Sequence, residues 1–255
     1  MSGFDVARTG GVATLTIDRP RKLNALTTAM WQAIPGILDE LATAADIDVL
    51  VIRGSGGNFS AGSDIYDLPD DLQTFWKINS AADAAIAGFP LPTIAAIEGV
   101  CVGGGSEIAV ACDLRVATPS ARFGITASKL GVLYPSGPTE RLKELVGPGA
   151  ARRILLTGEQ LDAETAQQLG LVDYLCDDVS AKVTELAGTL QDRSSLSLFF
   201  TKQALLGNHL EADEALSGAA ADELREGKAA FAEKRAPRFP AHGVLQRPGW
   251  HRRAR

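Results

Sequence analysis

Two glycine-bearing loops hold the residues whose types and spacing suggest chemistry. The first spans residues 54–64 (GSGGNFSAGSD) and the second spans residues 98–107 (EGVCVGGGSE), and each follows a short apolar run typical of a buried strand. Glycines at such turns let backbone N–H groups approach a ligand closely, and the helix that the second loop opens adds partial positive charge. The pattern therefore predicts a ligand site built from backbone amides.

The familiar phosphate and nucleophile motifs do not fit these loops. A dinucleotide-binding G-x-G-x-x-G lacks its third glycine, because Ile108 stands there, and no G-K-[ST] of a phosphate loop occurs. A serine-hydrolase elbow, G-x-S-x-G, is one residue out of register around Ser60, and no histidine lies near Ser60 in the sequence. Tight turns without a ligand explain a single loop of this kind, but they are a poorer account of two such loops together with the segments below.

Ordered segments between residues 4 and 239 resemble the crotonase (enoyl-CoA hydratase/isomerase) superfamily. Each segment is weakly specific by itself, whereas the ordered set at familiar spacing is highly specific. The segments are IDRP (17–20), KLNAL (22–26), FSAGSDI (59–65), PTIAAIEG (92–99), GGGSE (103–107), ACD (111–113), ARFG (121–124), LG (130–131), TERL (139–142), LTG (156–158), Ala166, GLVD (170–173) and FAEKR (231–235).

The resemblance implies an oxyanion hole made by the backbone N–H groups of Ser63 and Gly104. A thioester carbonyl oxygen gains negative charge when an enolate-like species forms, and preorganised donors aimed at that charge are worth ~3–4 kcal/mol each. Glu107 matches the first of two catalytic glutamates in family hydratases, which implies a general acid/base role. A structural role is the alternative, since a carboxylate in the first turn of a helix interacts favourably with the helix dipole.

The second family glutamate is absent, because Ala127 occupies its position, three residues after the Phe123–Gly124 pair. Family hydratases use both carboxylates, and family isomerases tend to keep the one that Ala127 replaces. The glycine-rich stretch that follows in the family reads VLYPSG (132–137) here, which brings Tyr134 to the expected pocket. Two roles are open for Tyr134, since it either donates a proton or packs.

An acidic chain that binds a polyanionic coenzyme must gather basic groups locally. Arg21 and Lys22 are candidates near the N-terminal motif. The resemblance also implies that Phe231 and Lys234 hold the nucleotide end of coenzyme A, often from a neighbouring subunit, whereas a solvated helix face is the alternative. The positions expected to contact the substrate are Lys22, Ala25, Leu26, Ala61, Ser63, Asp64, Ile65, Gly104, Phe231 and Lys234.

The composition argues against several other classes of function. The net charge of −6 and the pI of about 5.2 leave no basic surplus for the phosphates of a nucleic acid. Three cysteines without a CxxC pair favour a reducing compartment, and the three histidines form no HExxH motif that would indicate zinc. The sequence shows neither a signal peptide nor an apolar stretch of ~18 residues. We therefore expect a cytoplasmic protein with no membrane partner and no tightly bound cofactor.

The elements that must position these residues alternate between strands and helices. Apolar runs predict strands at 4–7, 12–17, 48–53, 93–97, 114–117 and 171–175. Helical spacing predicts helices at about 27–44, where Pro35 is awkward, and at 71–88, 105–112, 138–146, 149–156 and 162–169. From Ser195 the pattern is helical, and residues 244–255 are expected to form a mobile tail.

We therefore expect an α/β protein with the crotonase fold. Residues 1–194 form a spiral of strand–strand–helix turns that holds an acyl-CoA site, and residues 195–255 form a helical C-terminal subdomain and tail. The resemblance favours a homotrimer or a dimer of trimers that adds water to a 2-enoyl-CoA, with coenzyme A entering as part of the thioester substrate. The alternatives are double-bond isomerisation, decarboxylation of a malonyl-type thioester, thioester hydrolysis and, in a different class, a weakly catalytic acyl-CoA-binding partner.

Overall fold

Strands and helices alternate in the computed structural model, which describes residues 3–208 and 214–239. The strands are β1 (Phe4–Thr9), β2 (Val12–Ile17), β3 (Val49–Gly54), β4 (Thr93–Ile97), β5 (Val100–Val102), β6 (Leu114–Ala117), β7 (Arg122–Gly124), β8 (Gln160–Asp162) and β9 (Tyr174–Leu175). The helices are α1 (Thr28–Ala42), α2 (Leu72–Ala87), α3 (Gly104–Ala111), α4 (Ala127–Leu130), α5 (Ser136–Thr157), α6 (Ala163–Gln168), α7 (Val179–Gln191), α8 (Ser195–Leu205) and α9 (Glu214–Glu233). A short 3-10 helix spans Pro20–Lys22.

The larger sheet has the strand order β1-β2-β3-β4-β6-β9. Gly10 and Gly11 turn the chain between β1 and β2, which pair antiparallel, and all later neighbours in this sheet pair in parallel. Parallel neighbours require crossover connections, which here include α1, α2 and α3. Side chains alternate between the two faces, so that Leu50 and Ile52 join the main core with α1 and α2, whereas Val49 and Val51 pack with α7 on the opposite face.

The smaller sheet has the order β5-β7-β8, and an isolated parallel bridge from Ser60 to Cys101 extends it. Each turn of the chain therefore adds one strand to the larger sheet and one to the smaller sheet before a helix follows, as in β4–β5–α3 and β6–β7–α4. These are the expected strand–strand–helix turns. The strands of the smaller sheet were not predicted, because three residues are too few to show a hydrophobic period.

Most predicted helices are confirmed, with local differences. The Thr27 side chain accepts a hydrogen bond from the Met30 amide and caps α1, which continues through Pro35. The two helices predicted at 138–146 and 149–156 are the arms of α5, which Gly147 joins with a positive φ of 75°. Helices α4 and α7 were not predicted.

The C-terminal segment is helical as expected, in α8 and α9. Lys202 of α8 ties the segment to the core, since its ammonium group donates to Asp113 at 2.7 Å and to the Leu91 carbonyl oxygen at 3.1 Å. The domain boundary at residue 194 stays a prediction. The expected tail at 244–255 and the three histidines lie outside the described residues. No helix in the described ranges has an apolar stretch long enough to cross a bilayer.

Candidate active site

Both glycine-bearing loops reach one cavity of about 100 Å³, at the end of the strands that precede them. Its walls are the first loop, the start of α3, one face of α2 and the segment from α4 to the start of α5. The lining is apolar apart from a few polar groups, as ligand sites usually are. The residues are Ala61, Ser63, Ile65, Leu68, Phe75, Trp76, Asn79, Gly103, Gly104, Glu107, Thr126, Ala127, Leu130, Val132, Leu133, Tyr134 and Pro135.

Asn24 organises the first loop from within the protein. It is fully buried with a positive φ of 56°, and its side-chain amide donates to the carbonyl oxygens of Ser55 and Asn58 at 2.8 and 2.7 Å. The Asn24 side-chain oxygen accepts from the amide of Arg19 at 2.9 Å. Asparagine suits this position because it tolerates left-handed backbone and saturates buried polar groups with its own side chain.

The N-terminal motif pairs directly with the loop that carries Ser63. Leu26 and Ser63 form a parallel bridge in which the Leu26 amide donates to Gly62 and the Asp64 amide donates to Leu26, at 2.7 and 2.8 Å. Arg19 makes an ion pair with the Asp64 carboxylate at 3.2 Å. The segments 22–26 and 61–65, far apart in sequence, are thereby held in a fixed relation.

The two loops meet at their glycines. A Cβ atom on Gly62 would lie 2.6 Å from the Gly104 nitrogen, and a Cβ atom on Gly104 would lie 2.6 Å from the Trp31 ring. Gly103, which precedes α3, has a positive φ of 59°. Only glycines permit this approach, which brings the backbone next to Ser63 against the first residue of α3.

The amides of Ser63 and Gly104 are free to bind a ligand. Both residues line the cavity, and neither amide donates a hydrogen bond to another residue of the described chain. The Gly104 amide also lies at the N-terminus of α3, where the helix dipole adds positive potential. The Ser63 hydroxyl accepts a hydrogen bond from the Trp31 indole at 3.1 Å, so this side chain contributes to packing of the loop.

Glu107 lies in the first turn of α3 and is 3% exposed. Its Oε1 atom is buried without a hydrogen-bond partner among the described residues, and the nearby Asn79 side chain favours the charged form of the carboxyl. Burial, and then the negative charge of Asp83, raise the pKa of Glu107 from 4.5 to about 8, against the lowering effect of Asn79 and Arg141. Such a carboxyl can hold or release a proton near neutral pH.

The opposite wall of the cavity carries Ala127 and Tyr134. The methyl group of Ala127 supplies no acid or base where the family has a carboxylate. The Tyr134 hydroxyl is buried and has no partner in the part of the chain that the structure describes. Burial, with the nearby charges of Glu107 and Asp83, raises the pKa of Tyr134 above its usual value, so the phenol keeps its proton. The Trp76 indole donates to the Leu133 carbonyl oxygen at 2.7 Å and fixes this segment against α2.

The structure brings together most of the residues that the sequence suggested. Ser63, Gly104, Glu107 and Tyr134 line the cavity with Ala61 and Ile65, and Ala25, Leu26 and Asp64 lie in the paired segments beside it. Three others are exposed and do not line it, namely Lys22, Phe231 and Lys234.

Sequence reasoning missed Asn79, Asp83 and the contact made by Arg141. Arg141 lies in the segment TERL (139–142), for which no functional role was predicted. Asn79 and Asp83 are four residues apart in α2, on one helix face, and both are buried. Two polar residues at that spacing, in a helix rich in alanine, are the signal that was available.

Comparisons with known sequences identify similar proteins. A sequence model of the family described as enoyl-CoA hydratase/isomerase matches residues 7–242. The 2,3-dehydroadipyl-CoA hydratase of Escherichia coli is 36% identical over 94% of this chain and 99% of its own. A mitochondrial Delta(3,5)-Delta(2,4)-dienoyl-CoA isomerase of Dictyostelium discoideum is 32% identical over 89% of this chain and 87% of its own.

Solved structures of similar proteins have the same fold. The crystal structure of an enoyl-CoA hydratase/isomerase family protein from Hyphomonas neptunium superposes with a TM-score of 0.85 at 35% identity, covering 94% of this chain and 98% of that one. The expected α/β crotonase fold is confirmed.

Burial of the Glu107 carboxyl predicts how the free energy of unfolding depends on pH. Because its pKa is about 8 in the folded protein and 4.5 in the unfolded chain, the folded state disfavours the ionised form. The contribution of Glu107 to stability is therefore most favourable below pH 4.5 and falls as the pH rises towards 8. At ~1.4 kcal/mol for each pH unit between the two values, the loss is on the order of 3–5 kcal/mol.

Glu107→Gln removes this titration. Urea unfolding of both proteins at pH 5 and pH 8 measures the effect, and the variant is expected to lose less unfolding free energy than the wild type between the two values. Equal losses in both proteins would contradict the raised pKa.

Proposed function

Because the chain belongs to the enoyl-CoA hydratase/isomerase family, we propose that it adds water to the double bond of a 2-enoyl-CoA, or catalyses the reverse reaction. It is an acyl-CoA-processing enzyme of the hydratase/isomerase type. One observation carries the proposal. The backbone amides of Ser63 and Gly104, which have no partner in the described part of the chain, belong to residues that line the same cavity as the buried carboxyl of Glu107.

The two amides bind the thioester carbonyl oxygen. When hydroxide from water attacks the β-carbon, the electrons of the double bond move towards the carbonyl and the oxygen becomes an enolate oxygen. Two donors directed at that oxygen stabilise the enolate more than the substrate, which lowers the barrier by ~3–4 kcal/mol for each donor. The dipole of α3 adds to this effect at Gly104.

Glu107 moves the proton. In its ionised form the carboxylate takes a proton from the attacking water, and the resulting carboxylic acid delivers that proton to the α-carbon of the enolate. The net change is the addition of one water molecule, and Glu107 returns to its starting form. A pKa of about 8 suits this cycle, because both forms are accessible near neutral pH.

A second candidate reaction, decarboxylation of a malonyl-type thioester, is favoured by the wall that carries Ala127 and Tyr134. Loss of carbon dioxide leaves an enolate that the same two amides stabilise, and no base is needed to form it. The buried phenol of Tyr134, unpaired within the described chain, is a proton donor for the α-carbon. Hydration loses an acid/base group when the methyl group of Ala127 replaces the second carboxylate. Decarboxylation does not need that carboxylate.

Binding of the coenzyme A portion is proposed for the two paired segments and the C-terminal helix. Lys22, Ala25, Leu26, Ala61, Asp64 and Ile65 are proposed to hold the thioester end and the pantetheine arm. Phe231 is 88% exposed and does not line the cavity of its own chain, which fits contribution to a neighbouring subunit, with Lys234 beside it, in a homotrimer or dimer of trimers. Action in the cytoplasm, without a tightly bound cofactor, belongs to the same proposal.

A panel of acyl-CoA thioesters tests the reaction and the role of Glu107. Hydration is followed as loss of the absorbance of the conjugated thioester, and decarboxylation as release of carbon dioxide. We expect Glu107→Gln to keep its affinity for coenzyme A while turnover of the best substrate falls at least ~10²-fold. Unchanged turnover would assign a structural role to Glu107, and no turnover with any thioester would favour a binding protein.

The oxyanion hole is tested with a pair of glycine variants. Gly62→Ala places a Cβ 2.6 Å from the Gly104 nitrogen and 2.9 Å from the Val102 oxygen, which separates the two amides, so turnover is expected to fall by ~10²–10³-fold. Gly57→Ala is the matched control, because its φ is also positive at 75° but nothing lies within 4 Å of the new methyl group. The control is expected to lose ~1–2 kcal/mol of stability and to keep its turnover, and equal losses of turnover would contradict the assignment.

The absent second carboxylate makes wild-type hydration of simple enoyl-CoA slow. General acid/base groups contribute ~10²–10⁴-fold, so Ala127→Glu is expected to raise the rate on crotonyl-CoA within that range. The gain is limited by placement of the new side chain, since an error of ~1 Å costs ~10²-fold. Ala127→Gln, of similar size, controls for shape. Fast hydration by the wild type, or equal rates for the two variants, would contradict the premise.

A further inference from the structure

A charged pair, in which Asp83 is buried and Arg141 is partly buried, lies outside the cavity lining and is not required by the proposed chemistry. Asp83 of α2 is 3% exposed and makes an ion pair with Arg141 of α5. Neither residue lines the cavity. The pair therefore has no direct contact with the cavity, and any effect on a bound ligand has to act through the residues that line it.

The pair connects the helices on which the site is built. Helices α2, α3 and α5 pack against one another, and they carry Asp83, Glu107 and Arg141 respectively. Gly137, in the first turn of α5, leaves room for the pair, since a Cβ there would lie 3.3 Å from Asp83 Oδ2 and 3.5 Å from Arg141 Nη2. The Asp83 side chain thus lies beside the first turn of α5, at Gly137, which is three residues after Tyr134. The ion pair fixes that end of the Tyr134 segment to α2.

A contribution to stability alone is a poor account of this arrangement. Asp83 Oδ1 and Arg141 Nε are buried without hydrogen-bond partners within the described chain, as are Glu107 Oε1 and the Tyr134 hydroxyl. Desolvation of a buried ion pair commonly cancels its Coulomb attraction, and incomplete hydrogen bonding increases the cost. Four such atoms gathered around one cavity indicate a cluster retained for what it does to the site.

The charges in the cluster act on Glu107 in opposite directions. Asp83, from α2, raises the pKa of Glu107, whereas Arg141, from α5, and the Asn79 amide lower it. Tyr134 and Cys101 of β5 are the other titratable groups of this cluster, and burial raises the pKa of both, so they are neutral near pH 7. Burial raises the pKa of Asp83 as well, and Arg141 opposes that effect. Asp83 and Arg141 are therefore the charged partners to which the Glu107 carboxyl responds.

We propose that Asp83 and Arg141 form a positioning pair for the proposed reaction. Arg141 holds Asp83 at the junction of α2 and α5, and Asp83 in turn keeps Glu107 and the Tyr134 segment facing the same cavity and favours the protonated form of Glu107. The inference rests on the proposed role of Glu107 as the acid/base group, and Asp83 and Arg141 act only through that residue and Tyr134.

Selective ¹³C labelling of glutamate carboxyl groups tests the proposal without any substrate. The Glu107 signal is assigned by its loss in Glu107→Gln and is then titrated in each variant. We expect Asp83→Asn to move the midpoint to lower pH by ~1 unit, because a like charge is removed, and Arg141→Gln to move it to higher pH. Asp113→Asn is the matched control, since it breaks the ion pair with Lys202 and is expected to leave the Glu107 midpoint in place.

Turnover provides the second measurement. Because Asp83 does not line the cavity, Asp83→Asn is expected to change KM little. Since hydration starts from ionised Glu107, the rising limb of the pH dependence of kcat should move to lower pH by ~1 unit, together with the NMR midpoint. Unmoved midpoints in both variants would overturn the proposal, as would failure of both variants to fold, which would assign the pair to stability. Since the titration needs no substrate, moved midpoints without enoyl-CoA turnover would leave the charge coupling intact and refute only the proposed reaction.

Discussion

The structure of the site depends on the close approach of two backbone segments at Gly62 and Gly104. Neither glycine has room for a side chain, because a Cβ on Gly62 would lie 2.6 Å from the Gly104 nitrogen and a Cβ on Gly104 would lie 2.6 Å from the Trp31 ring. This contact places the Ser63 amide beside the first amide of α3. Asn24, the Leu26–Ser63 bridge and the Arg19–Asp64 pair all restrain the same loop from the other side. Several elements of the protein are thus arranged to hold two N–H groups that have no partner among the residues that the structure describes.

Burial of Glu107, the proposed acid/base group, follows from that arrangement. Glu107 lies about one helical turn after Gly104, and residues at that spacing share a helix face. The Glu107 side chain therefore lies on the same side of α3 as the Gly104 amide, next to the cavity. In this apolar setting the charged form is disfavoured, which moves the pKa into the range that proton transfer near neutral pH requires. The cost in stability and the gain in chemistry have the same physical origin, since both come from the removal of water around one carboxyl group.

Much of this could be predicted from local sequence. The strand runs at β2, β3, β4 and β6 and the ordered motifs from Ile17 to Arg235 are local patterns. They indicated the fold class, the family and the candidate residues Ser63, Gly104 and Glu107. The departure at Ala127 was also visible, because it is a single position at a known spacing from Phe123. The three-residue strands of the smaller sheet and helix α7 were missed. The short strands have no period of their own and exist only because neighbouring turns of the spiral lie in register.

The sequence by itself determined which backbone amides and which carboxyl group are available, since glycine positions and motif order are properties of the chain. Only the tertiary structure decided how these groups are tuned. Asn79 and Asp83 come from α2 and Arg141 comes from α5, and their meeting around Glu107 is set by the packing of three helices. The raised pKa of Glu107 and the isolated hydroxyl of Tyr134 have the same origin. Burial and electrostatic interaction depend on distances in space. Asp83 and Arg141 are 58 positions apart in the sequence, and only folding brings them into contact.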